Sequence, residues 1–175
     1  MSDVSSIEPG LAQVDADTHY RLQAFLFEEA ALLDRRAYET WLGLVSEKIQ
    51  YRVQARIIRD AGAGPANYLV ISEDHEMLTR RAKQISTPKL THAENPPTFT
   101  RRFVSNLVGF KSGQGEFVTR CSILIYRHRL DSPDFGIYAG ERVDSLCEHR
   151  QSFLLTRREV QLDQAVFPGS VSIII

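Results

Sequence analysis

Metal or redox chemistry in this sequence would have to come from five histidines, His19, His75, His92, His128 and His149, and two cysteines, Cys121 and Cys147. An iron–sulfur cluster with mixed ligands takes a Cys and a His from each of two short motifs. Cys147-Glu-His149 could supply one half, but Cys121 is followed by Ser-Ile-Leu and offers no second. A mononuclear iron held by two His and one carboxylate needs its histidines close together on one scaffold. Here they fall in a predicted helix, a helix cap, a loop, a strand and a turn, a scatter that predicts surface or hydrogen-bonding roles. No metal or cofactor site is therefore expected in this chain. The cysteines have no redox spacing and read as two reduced, packed thiols.

Nucleophile motifs are also missing. There is no Gly-x-Ser-x-Gly, no phosphate-cradling Gly-x-x-x-x-Gly-Lys and no Gly-x-Gly-x-x-Gly, and Gly113-Gln-Gly115 reads as a hairpin turn. No catalytic residue is assigned on these grounds. What is left for an enzyme is acid–base chemistry in the interior of an α+β cone, as in small isomerases and dehydratases, with Asp34, Tyr38, His92, Tyr126 and His128 as the candidates. Against it, Asp34 stands in Asp34-Arg35-Arg36, where a solvated ion pair or a helix end suffices.

The elements that would position these side chains are legible from periodicity. Residues 1–16 carry Ser, Pro and Gly without a repeat and read as a flexible arm, leaving 17–175 as a single domain. Leu22, Phe25, Leu26, Ala30 and Leu33 then recur at helical spacing, with Asp15 or Asp17 placed to cap. A shorter helix is expected over 37–44, with Tyr38 and Trp41 on its apolar face and therefore in the core. The period changes to two at Tyr51, Val53, Ala55 and Ile57, which predicts a strand, and the Gly-rich stretch 61–67 ends it as a loop. A third helix is expected from Asp74, burying Leu78, Ala82 and Ile85 and stopping before Pro88. Four long strand-like runs follow, over 98–110, 116–130, 137–146 and 152–167, with connections short enough for hairpins. Helices first and a meander afterwards argue α+β, and strands of this length must twist and curl, so the helices can fill a half-open cone.

Composition excludes several classes. With 21 basic and 22 acidic side chains, 43% hydrophobic residues and a formal net charge of −1, the chain offers no footprint for a nucleic-acid backbone. No apolar run approaches the ~20 residues that span a bilayer, and the first ten residues lack the basic and apolar regions of a signal peptide, so a cytoplasmic protein is expected. The charge is unevenly spread. Residues 1–34 hold seven acids and one base, while 98–130 hold six bases and one acid. Either helix and sheet neutralise each other within the chain, or complementary faces meet between subunits. The ending Val171-Ser-Ile-Ile-Ile175 similarly completes the sheet or is buried against a partner.

Several stretches resemble one family. Ala31-Leu-Leu-Asp-Arg-Arg-Ala-Tyr-Glu-Thr-Trp41 is similar to the opening signature of the β subunits of Rieske-type aromatic-ring-hydroxylating dioxygenases. Ala93-Glu-Asn-Pro-Pro-Thr-Phe-Thr-Arg-Arg-Phe-Val-Ser-Asn106 resembles that family's central signature. Tyr126-Arg-His-Arg129, Gly140-Glu-Arg-Val-Asp144 and Arg157-Arg-Glu-Val-Gln-Leu-Asp-Gln164 resemble its later strands. The likeness runs in order from about Tyr20 to the end. It departs at Thr91-His92, where alanine-tryptophan is usual, and at Phe99-Thr-Arg-Arg102, where arginine-threonine-arginine-histidine is.

The resemblance implies a cystatin-like or nuclear-transport-factor-like cone, N-terminal helices on a long, mainly antiparallel sheet. It implies a structural subunit in an assembly of three α and three β subunits, the β chains associating as a trimer. The α subunit would carry a Rieske [2Fe-2S] cluster and a mononuclear non-haem iron, fed from NADH by a reductase and often a ferredoxin. The reaction implied adds both atoms of dioxygen to an aromatic hydrocarbon, giving a cis-dihydrodiol. Arg101 and Arg102 would offer planar forks to carboxylates across an interface, and Arg127, Arg157 and Ile175 are further interface candidates. The alternatives are a stand-alone cone-fold isomerase or dehydratase and a non-catalytic dimeric binding domain.

Overall fold

Helix α1 (Ala16–Asp34) starts where the Asp15 carboxylate accepts a hydrogen bond from the Thr18 amide at 2.7 Å, and it buries the predicted stripe Leu22, Phe25, Leu26, Ala30 and Leu33. It ends in a turn at Arg36, whose φ of 60° is left-handed. The Arg36 guanidinium donates to the carbonyls of Ile85 (2.8 Å) and Thr98 (3.1 Å), fixing this turn to two later segments. Helix α2 (Tyr38–Leu42) is shorter than the periodicity suggested and sets Tyr38 and Trp41 in the core. The structure is a computed structural model and describes residues 10–57, 66–87, 96–129, 131, 133, 135–167 and 173–175. His92, Pro88 and residues 61–65 lie outside the described residues.

Seven strands form one sheet: β1 (Ala12–Gln13), β2 (Val45–Arg56), β3 (Asn67–Glu73), β4 (Thr98–Gly113), β5 (Glu116–Arg129), β6 (Phe135–His149) and β7 (Ser152–Leu162), with α3 (His75–Ser86) between β3 and β4. Their order is β1-β4-β5-β6-β7-β2-β3, antiparallel throughout except for the parallel pair β2–β7. This is the expected α+β arrangement. Helix α1 touches both β4 and β7, although β5 and β6 lie between them, so the sheet wraps part of the way around the helix. No described helix is long and apolar enough to cross a membrane.

Other boundaries also differ from the periodicity: β6 is longer than 137–146 and β7 stops at Leu162 rather than Phe167. Ala12 and Gln13 pair with Lys111 and Phe110, and the Val14 amide donates to Gly109, so the expected arm is already part of the sheet edge here; residues 1–9 lie outside the description. Strand β3 was not anticipated because Tyr68-Leu-Val-Ile71 shows no alternation: as an edge strand it leaves Tyr68 and Leu69 exposed. Strand β2 begins at Val45 rather than Tyr51. Its register against β7 slips between Val45 and Gln50, and that irregularity hides the period-two pattern.

Two residues show why the meander needs its sequence. Asn106 has φ 54° where the β4–β5 register slips between Ser105 and Val108, and its side-chain amide donates to Ser122 Oγ at 3.2 Å. Asparagine tolerates the left-handed region better than most residues, which accounts for the end of the central signature. Gly140 faces β7 so closely that a Cβ there would lie 2.2 Å from the Gln161 carbonyl oxygen.

Candidate functional site

The cone interior, where acid–base chemistry would be housed, is occupied by a closed group of charges. Glu29 lies on the buried stripe of α1, one turn after Phe25, and is 1% exposed. Facing it are Arg142 and Asp144 of β6, in phase with buried Tyr138 and Leu146, and Arg158 of β7, the register partner of Asp144. Arg158 donates to both oxygens of Glu29 (2.7 and 2.8 Å) and both of Asp144 (2.8 Å each). Arg142 stands 3.1 Å from Asp144 and 3.5 Å from Glu29. Trp41 Nε1 also donates to Glu29, at 3.1 Å, while Arg142 Nε and Nη2 are buried without a hydrogen-bond acceptor among the described residues.

The electrostatics oppose catalysis. Burial pushes the Glu29 carboxyl up, but Arg158, Arg142 and the hydrogen bonds outweigh it and hold the pKa at about 2. Burial opposes the Arg158 charge, yet Asp144 and Glu29 raise its pKa well above the ordinary value. Two cations and two carboxylates therefore neutralise each other in full burial, with Glu29 held below, and both arginines above, the neutral range a general acid or base needs. Burial also raises the Cys121 thiol on the neighbouring strand, leaving it an unreactive thiol.

A second cluster ties the signature sequences to the end of the chain. Asp34 accepts from Thr100 Oγ1 (2.9 Å), the Arg102 amide (2.9 Å) and the Arg102 guanidinium (2.6 Å). Arg102 also donates to the Ile174 carbonyl, and the Tyr51 hydroxyl donates to the Ile175 carbonyl while accepting from the Ile175 amide. Ile173, Ile174 and Ile175 are all buried, so the apolar ending packs inside its own chain and forms no described strand.

Among the described residues, the isomerase candidates are not brought together into one site, and His92 lies outside them. Asp34 is committed to Arg102, and Tyr38 is a core residue with its ring 5.8 Å from the Arg36 guanidinium. Tyr126 and His128 stack on one another on the opposite face of the sheet. Of the five interface candidates, Arg102, Arg127 and Ile175 are turned into the chain, with Arg127 beside Tyr138 and Thr98. Arg101 and Arg157 remain on the surface, the latter 2.6 Å from Glu159. Of the charge imbalance between residues 1–34 and 98–130, Asp34–Arg102 is one pair met within the chain, whereas Glu29 is met by Arg142 and Arg158 from beyond that basic segment. Among the described residues no three His, Cys, Asp or Glu side chains gather as metal ligands. Cys121 is buried on the inner face and Cys147 has the opposite strand parity, so these residues do not fit a cluster with mixed Cys and His ligands.

Sequence reasoning missed Glu29, Arg142, Asp144 and Arg158 as a unit. A signal was present: each is a charged residue in phase with an apolar stripe, Glu29 with Leu22, Phe25, Leu26 and Leu33, and Arg142 and Asp144 with Tyr138 and Leu146.

Helices over a long curled sheet, with paired charges and the chain's own tail buried between them, define a cone fold. The chain belongs to the ring-hydroxylating β subunit family, whose model, described as "Ring hydroxylating beta subunit", matches residues 28–169. Solved structures share the fold. Naphthalene 1,2-dioxygenase with indole bound matches with a TM-score of 0.82 at 20% identity, over 93% of this chain and 88% of that one. The β subunit of benzoate 1,2-dioxygenase from Burkholderia mallei matches at 0.69 and 18%, over 94% and 100%. A protein assigned as a scytalone dehydratase from Novosphingobium aromaticivorans matches at 0.64 and 14%, over 90% and 91%, which marks the same cone in a dehydratase setting.

Proposed function

We propose that this chain is the non-catalytic, structural β subunit of a multicomponent aromatic-ring-hydroxylating dioxygenase that forms cis-dihydrodiols. It would work in the cytoplasm, in an assembly of three α and three β subunits. The Rieske cluster and mononuclear iron would sit in the α subunit, and a reductase, with or without a ferredoxin, would supply electrons from NADH. The observation that carries this reading is the closed interior: Glu29, Arg142, Asp144 and Arg158 are buried and paired with one another, and Glu29 and Arg158 are held further from neutral proton affinity than when free. A stand-alone dehydratase would need that interior open to substrate. The signature residues Asp34, Trp41, Arg102 and Arg158 are spent on holding helices, sheet and tail together, as expected of a scaffold.

The test is co-expression with an α subunit encoded beside this chain, followed by size, metal and product analysis. The expected result is one stable complex containing iron and labile sulfide that makes dihydrodiol with reductase and NADH, while this chain alone is colourless and inactive. Turnover of a hydroxylated aromatic or ketone by the isolated chain, or its failure to join any α subunit, would overturn the reading.

A further inference from the structure

We propose that the buried charge cluster is a binding site for one ordered water molecule, held between the guanidinium of Arg142, the hydroxyl of Thr119 and the carboxylate of Asp144. The site is built by this chain alone and is independent of the subunit reading.

Two donors of the cluster are unmet. Arg142 is 3% exposed, and its Nε and Nη2 atoms find no hydrogen-bond acceptor among the described residues. These N–H groups share one edge of the guanidinium and point the same way, the fork that Arg158 uses to grip both oxygens of Asp144 at 2.8 Å. Burying a charged donor without an acceptor costs free energy, and folded interiors nearly always fill such a fork. Asp144 Oδ2 stands 3.1 Å from Arg142 Nε but out of line with its N–H, so the pair supplies charge attraction without a hydrogen bond. The Cys121 thiol, opposite Arg142 in the strand register, is too weak an acceptor to take its place.

An unmet hydroxyl lies beside the unmet fork. Thr119 is 0% exposed, and its Oγ1 likewise has no partner among the described residues. Register sets it directly across from Asp144, one inner-face row away from the Cys121–Arg142 pair. The Arg142 side chain leans toward that row, since its Nε lies against Asp144. Diagonal neighbours on one sheet face are within reach of a long side chain and a bridging atom. Asp144 Oδ2 accepts one hydrogen bond from Arg158, which leaves it a second lone pair.

Water fits this set in number and in charge. It accepts from Arg142 Nε and Nη2 and donates to Thr119 Oγ1 and Asp144 Oδ2, a full set of partners for a buried water. The charges of the cluster already balance, two carboxylates against two guanidiniums. A halide or an oxyanion in the fork would leave a net negative charge in full burial, whereas water adds none. Water also accounts for a hydroxyl at position 119, on an inner face that otherwise carries Phe117, Cys121, Ile123 and Ile125.

The test is a crystal structure of the full chain at a resolution that shows ordered solvent, a second crystal soaked in bromide, and urea unfolding of Thr119→Val. The expected result is a solvent peak within hydrogen-bond distance of both Arg142 Nη2 and Thr119 Oγ1, with no anomalous bromide signal there. Thr119→Val keeps the outline of the side chain but removes one partner of the water, so the folding equilibrium constant should fall about 5-fold or more. An orphan hydroxyl predicts the opposite sign, because a methyl group in its place removes a buried polar atom that had no bond to lose. Three results would each overturn the proposal: a Thr119→Val variant as stable as wild type or more so, bromide in the fork, or a fork with no solvent peak that closes directly on a protein acceptor. No α subunit enters these measurements, so their failure would leave the subunit reading standing.

Discussion

Replacing Glu29 by glutamine keeps the shape of the buried cluster and removes one of its charges. Glu29 receives two hydrogen bonds from Arg158 and one from Trp41, and Arg142 lies 3.5 Å away. In Glu29→Gln the two guanidiniums share Asp144 alone, so one positive charge is left uncompensated in a fully buried site. Breaking a buried pair in this way costs about 3 to 5 kcal/mol. For a domain of this size each kcal/mol moves the melting temperature by about 2 to 4 °C, so a fall of roughly 6 to 20 °C is expected at pH 7. The pH dependence gives an independent reading. The Glu29 pKa is lowered from 4.5 in the unfolded chain to about 2, so its contribution is complete above pH 4.5 and is lost as pH falls from there toward about 2. That loss is of order 3 kcal/mol in the wild-type protein, and Glu29→Gln lacks this component. Urea unfolding between pH 7 and pH 2.5, followed by circular dichroism and by the fluorescence of the single tryptophan, Trp41, measures both. A variant melting within about 2 °C of wild type, with the same acid slope, would refute the claim that these charges hold the interior together.

Three further substitutions separate structural from surface roles. Arg102→Lys leaves one ammonium to replace a guanidinium that spans Asp34, Thr100 and the Ile174 carbonyl; it should cost about 2 to 3 kcal/mol in urea unfolding, whereas Arg101→Ala should change the stability of the single chain by no more than about 0.5 kcal/mol. Gly140→Ala drives a methyl group into the Gln161 backbone and should abolish soluble protein or cost more than about 4 kcal/mol, as judged by soluble yield and urea midpoint. Asn106→Val places a β-branched residue at φ 54° and should lose about 1 to 2 kcal/mol, while Asn106→Gly should lose only a few tenths; equal effects would show that the side-chain bond to Ser122, not the backbone, decides.

The helices were legible in the sequence because apolar residues recur at helical spacing in each, and the β4–β7 meander because its strands are long and its turns short. What escaped was set by long-range partners. Strand β2 gains its first residues by pairing with β7, which lies more than 100 residues later, and no local pattern announces a parallel contact of that kind. Strand β3 exists because β2 offers it an edge, not because its own residues alternate. At the site, Trp41 and Tyr38 were placed in the core by their spacing. Arg102 was read as an interface fork because an arginine on a strand looks alike whether its carboxylate is on another subunit or, as here, on α1 of the same chain. The charges that do converge lie on α1 and, far later in the chain, on the β6–β7 hairpin.

The parallel pairing of β2 with β7 also governs how this protein can be made on a ribosome. Strand β2 emerges early but one of its two flanking strands comes last, and Glu29 waits 129 residues for the arginine that neutralises it. Until residue 162 has cleared the exit tunnel, the nascent chain holds an unpaired central strand edge and a carboxylate with no interior to enter. Closure is therefore late and non-local, a topology that folds slowly and exposes sticky edges to neighbours on the same polysome. Synthesis rate and chaperone supply then join the strength of individual contacts in setting how much folded chain is obtained.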